Sequence, residues 1–124
     1  GMARSEQSLK RAILKIQSLG KEFADGVKIA GGGEEFNKNL EMALRLGDFI
    51  ELGGLMARDA LERSESCGGH FREESQTPDG EAKRDDEKYS YVAAWEYKGP
   101  GQAEALHQEK LEFEFVHPSQ RSYK

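Results

Sequence analysis

From Phe36 to Ser64 the sequence has no proline, and its apolar residues recur at helical spacing on more than one stripe. Phe36, Leu40, Ala43, Leu44, Gly47, Ile50, Gly54, Ala57 and Leu61 form one stripe; Met42, Leu46, Phe49, Met56 and Ala60 form another. A helix that is apolar on more than one side must be covered on more than one side, so a single partner helix cannot bury it. A chain of 124 residues has room for one small domain, and its remaining segments are few. Gly47, Gly53 and Gly54 each weaken such a helix by about 1 kcal/mol relative to alanine. A neighbouring backbone that approaches closely is the expected reason for them.

A shorter helix precedes this one. Leu9, Ala12, Ile13, Ile16, Leu19 and Phe23 fall on one face between about residues 5 and 25. Ser5 can cap its start, and Asp25-Gly26 is expected to supply a left-handed residue at its end. Val27 and Ile29 lead into Gly31-Gly32-Gly33, a flexible reversal, and the long helix then runs from about 36 to 64. Residues 65–88 are rich in charge, with Pro78 and Gly80, and read as a solvated loop. Alternation follows: Tyr89, Tyr91, Ala93, Trp95 and Tyr97 point one way, which predicts a strand over about 89–97. Leu111, Phe113 and Phe115 alternate with Glu112 and Glu114, predicting a second strand over about 111–116, paired antiparallel across Gly99-Pro100-Gly101. The fold class expected is mainly α with a small β ribbon: two long antiparallel helices, a loop and a hairpin. A lone ribbon is marginal in water, so its aromatic face is expected to lie on protein.

Eighteen basic against 23 acidic side chains give a net charge of −5, with the cations scattered among carboxylates, so nucleic acid is not an expected partner. No apolar run approaches the roughly 18 residues that span a bilayer, and the chain reads as soluble. The single cysteine, Cys67, excludes an internal disulfide and a multi-cysteine metal site, and fits a reducing compartment. Cys67 and His70 straddle Gly68-Gly69, while His107 and His117 sit on a different element, so the ligand set is too sparse for a metal. A Cys67–His70 nucleophile pair lacks an orienting third group. Gly31-Gly32-Gly33 follows no strand and lacks the spacing of a dinucleotide fingerprint, so it reads as a linker. The densest polar constellation is Arg63, Glu65, Ser66, His70 and Arg72, where the long helix runs out. Such a set can fix an exit angle, grip another domain, or simply be a solvated helix end.

The block Arg63-Ser64-Glu65-Ser66-Cys67-Gly68-Gly69-His70-Phe71-Arg72, then Arg84-Asp85-Asp86, then Pro118, Arg121 and Tyr123, resembles the C-terminal part of the flavoprotein subunit of succinate dehydrogenases and fumarate reductases. Upstream, Phe36-Asn37, Leu40, Ala43, Leu44, Leu46-Gly47 and the small residues Ala57 and Ala60 resemble the family's last long helix, so the likeness covers essentially the whole chain. Two departures stand out. The family commonly has arginine where this chain has Cys67, and the segment between Arg72 and Arg84 is longer, carrying Pro78-Asp79-Gly80.

The resemblance implies the last two helices of a spectrin-repeat-like three-helix bundle. It implies a parent subunit that interconverts succinate and fumarate with FAD, passing electrons to an iron-sulfur subunit and a membrane cytochrome b subunit at the cytoplasmic face of the membrane. The family's flavin-binding domain, its flavin-attaching histidine and its capping domain have no counterpart in these residues. The chain therefore reads as a C-terminal piece, with no catalytic, cofactor-binding or metal-binding residue of its own. By the same resemblance Arg63, Glu65, Ser66, His70, Arg72, Arg84, Asp85 and Asp86 are expected at the interface with the flavin-binding domain. The isolated chain is expected to be inactive and to self-associate as a dimer. A stand-alone helical interaction module, or the equivalent domain of aspartate oxidase or adenylylsulfate reductase, are the competing readings.

Overall fold

The computed structural model describes residues 3–99 and 101–119, so Gly1, Pro100, Arg121 and Tyr123 lie outside the described residues. The elements are α1 (Glu6–Gly26), α2 (Lys38–Glu62), a four-residue α3 (Asp86–Tyr89), β1 (Tyr91–Glu96) and β2 (Ala105–Lys110). This is the expected class, helices plus a small antiparallel hairpin.

Ser5 starts α1 as expected. Its hydroxyl accepts from the Ser8 amide at 3.2 Å while the Ser8 hydroxyl accepts from the Ser5 amide at 3.0 Å, satisfying two donors that the first turn leaves free. The end of α1 differs from expectation. Gly26 is the last helical residue and is not among the glycines with positive φ; Val27 leaves the helix in extended conformation, its amide donating to Phe23 O at 3.4 Å. A β-branched residue favours that extended exit. Asn37 sets the start of α2, its Oδ1 accepting from the Asn39 and Leu40 amides at 3.0 and 3.2 Å. Phe36 consequently stays outside the helix and 84% exposed.

The two helices run antiparallel. A β-carbon on Gly47 would lie 3.3 Å from Phe23, one on Gly20 3.5 Å from Ile50, and one on Gly54 3.5 Å from Ile16, so the contacting positions fall in sequence on one helix as they rise on the other. The helical glycines thus admit side chains of α1, Phe23 and Ile16, where a close backbone was expected. The second α2 stripe is buried only at Ala60, near the helix end; Met42, Leu46, Phe49 and Met56 are 59%, 48%, 63% and 60% exposed.

In the ribbon Tyr91 pairs with Lys110 and Glu96 with Ala105. Alternation along β1 holds, with Tyr91, Ala93 and Trp95 half-buried and Val92, Ala94 and Glu96 exposed. The second strand is displaced from the 111–116 that the Leu-Phe-Phe alternation predicts. Its partner decides the matter. β1 begins only at Tyr91 because residues 86–89 are helical, so the last rung is the Leu111 amide on Ser90 O at 2.9 Å. Phe113 and Phe115 lie beyond that rung, 52% and 87% exposed. The ribbon is tied to α2 by the Trp95 indole N–H, which donates to Asp59 Oδ1 at 2.9 Å, and by an Arg58–Glu104 ion pair. The buried apolar core is small: Leu9, Ala60 and Tyr89, near the C-terminal end of α2. No helix among the described residues is long and apolar enough to cross a membrane.

Candidate functional site

The last carbonyls of any α-helix lack partners within the helix, and a cation near them is favoured by the helix dipole. The last turn of α2 holds no basic residue. Arg72 supplies the charge from ten residues further on. Its Nη1 donates to Ala60 O at 2.9 Å and to Leu61 O and Arg63 O at 3.3 Å each, and the residue is only 2% exposed. Its Nε donates to Glu74 Oε2 at 3.2 Å, and Glu74 Oε1 accepts from the Glu6 amide at 2.6 Å, the first amide of α1. One ion pair therefore complements two helix ends at once: the cation sits at the C-terminus of α2 and the anion at the N-terminus of α1. The Glu6 amide, with help from Arg72, holds the Glu74 carboxyl below its ordinary value.

Ser66, fully buried, locks Arg72 in place: its Oγ accepts from the Arg72 amide at 2.8 Å and donates to the Arg72 carbonyl at 3.2 Å. Cys67 and His70 then exchange backbone hydrogen bonds at 2.8 and 3.0 Å around Gly68-Gly69. Gly68 has φ +57°, a conformation that glycine adopts without strain. His70 Nδ1 lies 2.8 Å from Arg4 Nη1, and its Nε2 lies 2.7 Å from Arg63 O. Arginine has only donors, so Nδ1 accepts from Arg4 and Nε2–H donates to the carbonyl, which is the neutral ring with its proton on Nε2. Both nitrogens are thereby engaged, while the Cys67 side chain is exposed.

Arg63 and Glu65 carry the network to the ribbon. The Arg63 guanidinium stands 5.3 and 5.2 Å from the ring centres of Tyr89 and Tyr91, donates to Tyr91 O at 3.1 Å and pairs with Glu65 at 2.7 Å. Buried Glu65 uses its other oxygen to accept from the Asp85 amide at 2.8 Å. Asp85 in turn accepts from the Lys88 amide at 3.2 Å and so starts α3. Arg84 grips Asp86 through both carboxylate oxygens at 2.6 Å and donates to Ser119 O at 3.0 Å; that carboxylate raises the guanidinium's already high pKa. Six of the eight residues singled out in the sequence thus share one hydrogen-bonded knot, while Arg84 bonds Asp86 and Ser119, and this pair joins the knot through the chain at Asp85.

The sequence reading missed Arg4, Glu74 and Tyr89. Tyr89 is 4% exposed, and its hydroxyl accepts from the Ser64 amide at 2.9 Å and donates to Glu62 O at 3.2 Å. Burial pushes this phenol up, but hydrogen bonds from Lys88 and Ser64 outweigh it and leave the pKa below its ordinary value. The absence of a basic residue in the last turn of α2 was a usable signal that a later cation caps it. Nothing local marked Arg4, which meets its partner from 66 residues away.

The family described as "Fumarate reductase flavoprotein C-term" matches residues 1–123. The chain belongs to this family. It is 39% identical over 74 residues to a fumarate reductase (CoM/CoB) protein of Methanothermobacter marburgensis, covering 59% of this chain and 13% of that protein. It is 31% identical over 72 residues to the fumarate reductase flavoprotein subunit of Haemophilus influenzae, covering 58% and 12%. A solved quinol fumarate reductase chain from E. coli superposes with a TM-score of 0.80 at 23% identity, over 97% of this chain and 20% of that one. Mycobacterium smegmatis Sdh1 gives 0.72 at 22% identity, over 91% and 18%. These structural likenesses speak to the fold. The chain matches about an eighth of the length of its curated relatives, and it is the C-terminal domain of a flavoprotein subunit of the fumarate reductase and succinate dehydrogenase family.

The described residues of this C-terminal domain do not fit FAD. The glycine-rich segment 31–33 follows a helix and is exposed, and the first amides of α2 are already taken by Asn37. A dinucleotide cradle needs a strand, a glycine turn and free helix N-terminal amides.

Proposed function

We propose that this domain braces the flavin-binding part of a longer subunit that interconverts succinate and fumarate. The FAD of that subunit would supply the hydride chemistry, with an iron-sulfur subunit and a membrane cytochrome b subunit at the cytoplasmic face of the membrane as its electron partners. The reacting groups belong to other segments. The junction is held by Arg63, Glu65, Ser66, His70, Arg72, Arg84, Asp85 and Asp86. One observation carries the reading: the buried Arg72 guanidinium gathers the last carbonyls of α2 while its partner Glu74 takes the first amide of α1. A group so placed sets where two helices end and in which direction the chain leaves them. Misplacement of about 1 Å far from the chemistry can cost about 100-fold in rate, so a rigid brace bears on turnover without touching substrate.

The test is His70→Ala and Arg72→Ala in the full-length subunit. Flavin retention and thermal stability should fall more than turnover per bound flavin. A large loss of turnover per bound flavin with unchanged stability would place these side chains in the active site and end the bracing reading.

The open stripe of Met42, Leu46, Phe49 and Met56 is assigned to the same role. In the longer subunit it packs against that subunit's own segments. In the isolated chain it drives twofold self-association, since exposed apolar patches beyond a few hundred Å² usually recruit a partner.

A further inference from the structure

A second open face of α2 has a different chemistry. Between this helix and the ribbon lies a cleft of about 300 Å³ whose floor is Leu52, Leu55, Trp95 and Tyr97 and whose rim carries Asp48 and Glu51. Side chains tie its two walls together: the Trp95 indole donates to Asp59 Oδ1 at 2.9 Å, and Arg58 and Glu104 pair across one side. It is also open, with Leu52 53% and Tyr97 63% exposed. Arg45, one turn before, is taken by Glu41. Asp48 and Glu51, both exposed, make no ion pair or side-chain hydrogen bond among the described residues, and they stand three apart on the helix, facing the same way.

We propose that this cleft is a docking site for a separate polypeptide that presents a lysine or arginine beside an apolar side chain. Three features select that occupant. The paired carboxylates suit a cation. The apolar floor receives the aliphatic stem that lysine and arginine bury while keeping the charged head at the rim. The Trp95 and Tyr97 rings offer faces that attract a cation. The cleft also differs from the stripe of Met42, Leu46, Phe49 and Met56, which carries no acidic residue. A purely apolar stripe suits permanent cover by the same chain, whereas an apolar floor with a charged rim is the anatomy of an interface between separate chains, where charge gives specificity and speeds encounter. This assignment stands independently of the bracing reading, because it concerns the face of α2 turned to the ribbon and none of the eight knot residues.

Trp95 is the only tryptophan in the chain and forms part of the floor, so it reports on occupancy directly. The probe is a capped peptide of lysine, leucine and alanine, with its counterpart in which glutamate replaces lysine. The lysine peptide should shift and quench Trp95 emission saturably, less so as salt rises, and the glutamate peptide should not. Asp48→Asn with Glu51→Gln should weaken binding about five- to tenfold, near the middle of the roughly 2- to 30-fold span for two exposed ion pairs. Glu22→Gln with Asp25→Asn removes the same charge from exposed positions of α1 and should leave it within about twofold. Equal weakening by both double variants would show attraction to net charge alone and overturn the proposal. So would an unresponsive Trp95. If Trp95 of the full-length protein is shielded from iodide and blind to the peptide, the cleft is filled by that protein's own segments, and the proposal again falls.

Discussion

Replacing Arg72 by alanine should be the most damaging single change in this domain. The side chain is 3% exposed and serves three carbonyls and one carboxylate. Its loss is not equal at each partner. Arg63 O keeps its bond from His70 Nε2 at 2.7 Å, and Glu74, 46% exposed, can turn to water. Ala60 O and Leu61 O are the acceptors left without a partner at the buried end of α2. Each orphaned buried acceptor costs about 1–3 kcal/mol, and the emptied volume adds to it, so the total is roughly 3–5 kcal/mol, similar to breaking a buried charged pair. A small domain has about 5–15 kcal/mol in all, and this one has only Leu9, Ala60 and Tyr89 as buried apolar residues. Arg72→Ala should therefore be largely unfolded or strongly shifted in urea melts followed by far-ultraviolet circular dichroism. Arg72→Lys keeps the charge but loses the fork, and should lose about half as much. An unfolding free energy for Arg72→Ala within about 0.5 kcal/mol of wild type would mean that water satisfies the helix end as well as the guanidinium does.

Glu74 should make stability depend on pH in a definite sense. Its carboxyl is held below the ordinary 4.5 by the Glu6 amide first, so its contribution is present above that value and is lost as pH falls through the folded-state value; Glu74→Gln should flatten that part of the acid limb in urea midpoints taken from pH 2 to 7. A variant as acid-sensitive as wild type would count against the α1 contact. The isolated chain should be colourless and unable to reduce a dye with succinate, since no flavin cradle exists among its described residues; a flavin absorption band that survives denaturation would contradict this. Light scattering should show self-association at micromolar concentration, and Leu46→Glu with Phe49→Glu should abolish it while raising solubility. A clean wild-type monomer with a cooperative melt would show that the open stripe is tolerated in water.

How far the structure could be read from the sequence depended on how local the deciding information was. The helices were legible because their evidence is periodic and repeats along many residues: Ile16, Gly20 and Phe23 on one helix meet Gly54, Ile50 and Gly47 on the other as the spacing required. The second strand was misplaced because alternation shows that a segment suits a strand, not what lies opposite it. Phe113 and Phe115 alternate well, yet Asp85 starts α3 and removes the partner they would have needed. The knot was legible only as a set of residue types at a family's spacing, since nothing in composition says that Arg72 reaches back to Ala60. The physical demand for it was nevertheless present, because the 25 residues of α2 end with no cation in the last turn and a cap had to come from elsewhere. The same reasoning applies to the open faces of α2. Its second stripe was read as apolar and needing cover, but Asp48, Glu51, Leu52 and Leu55 read as an ordinary mixture until Trp95 was seen to stand against them. A residue's role on a helix surface is set by what the rest of the chain brings to that surface, and in this domain the ribbon that brings it begins only after the knot has fixed where α2 ends.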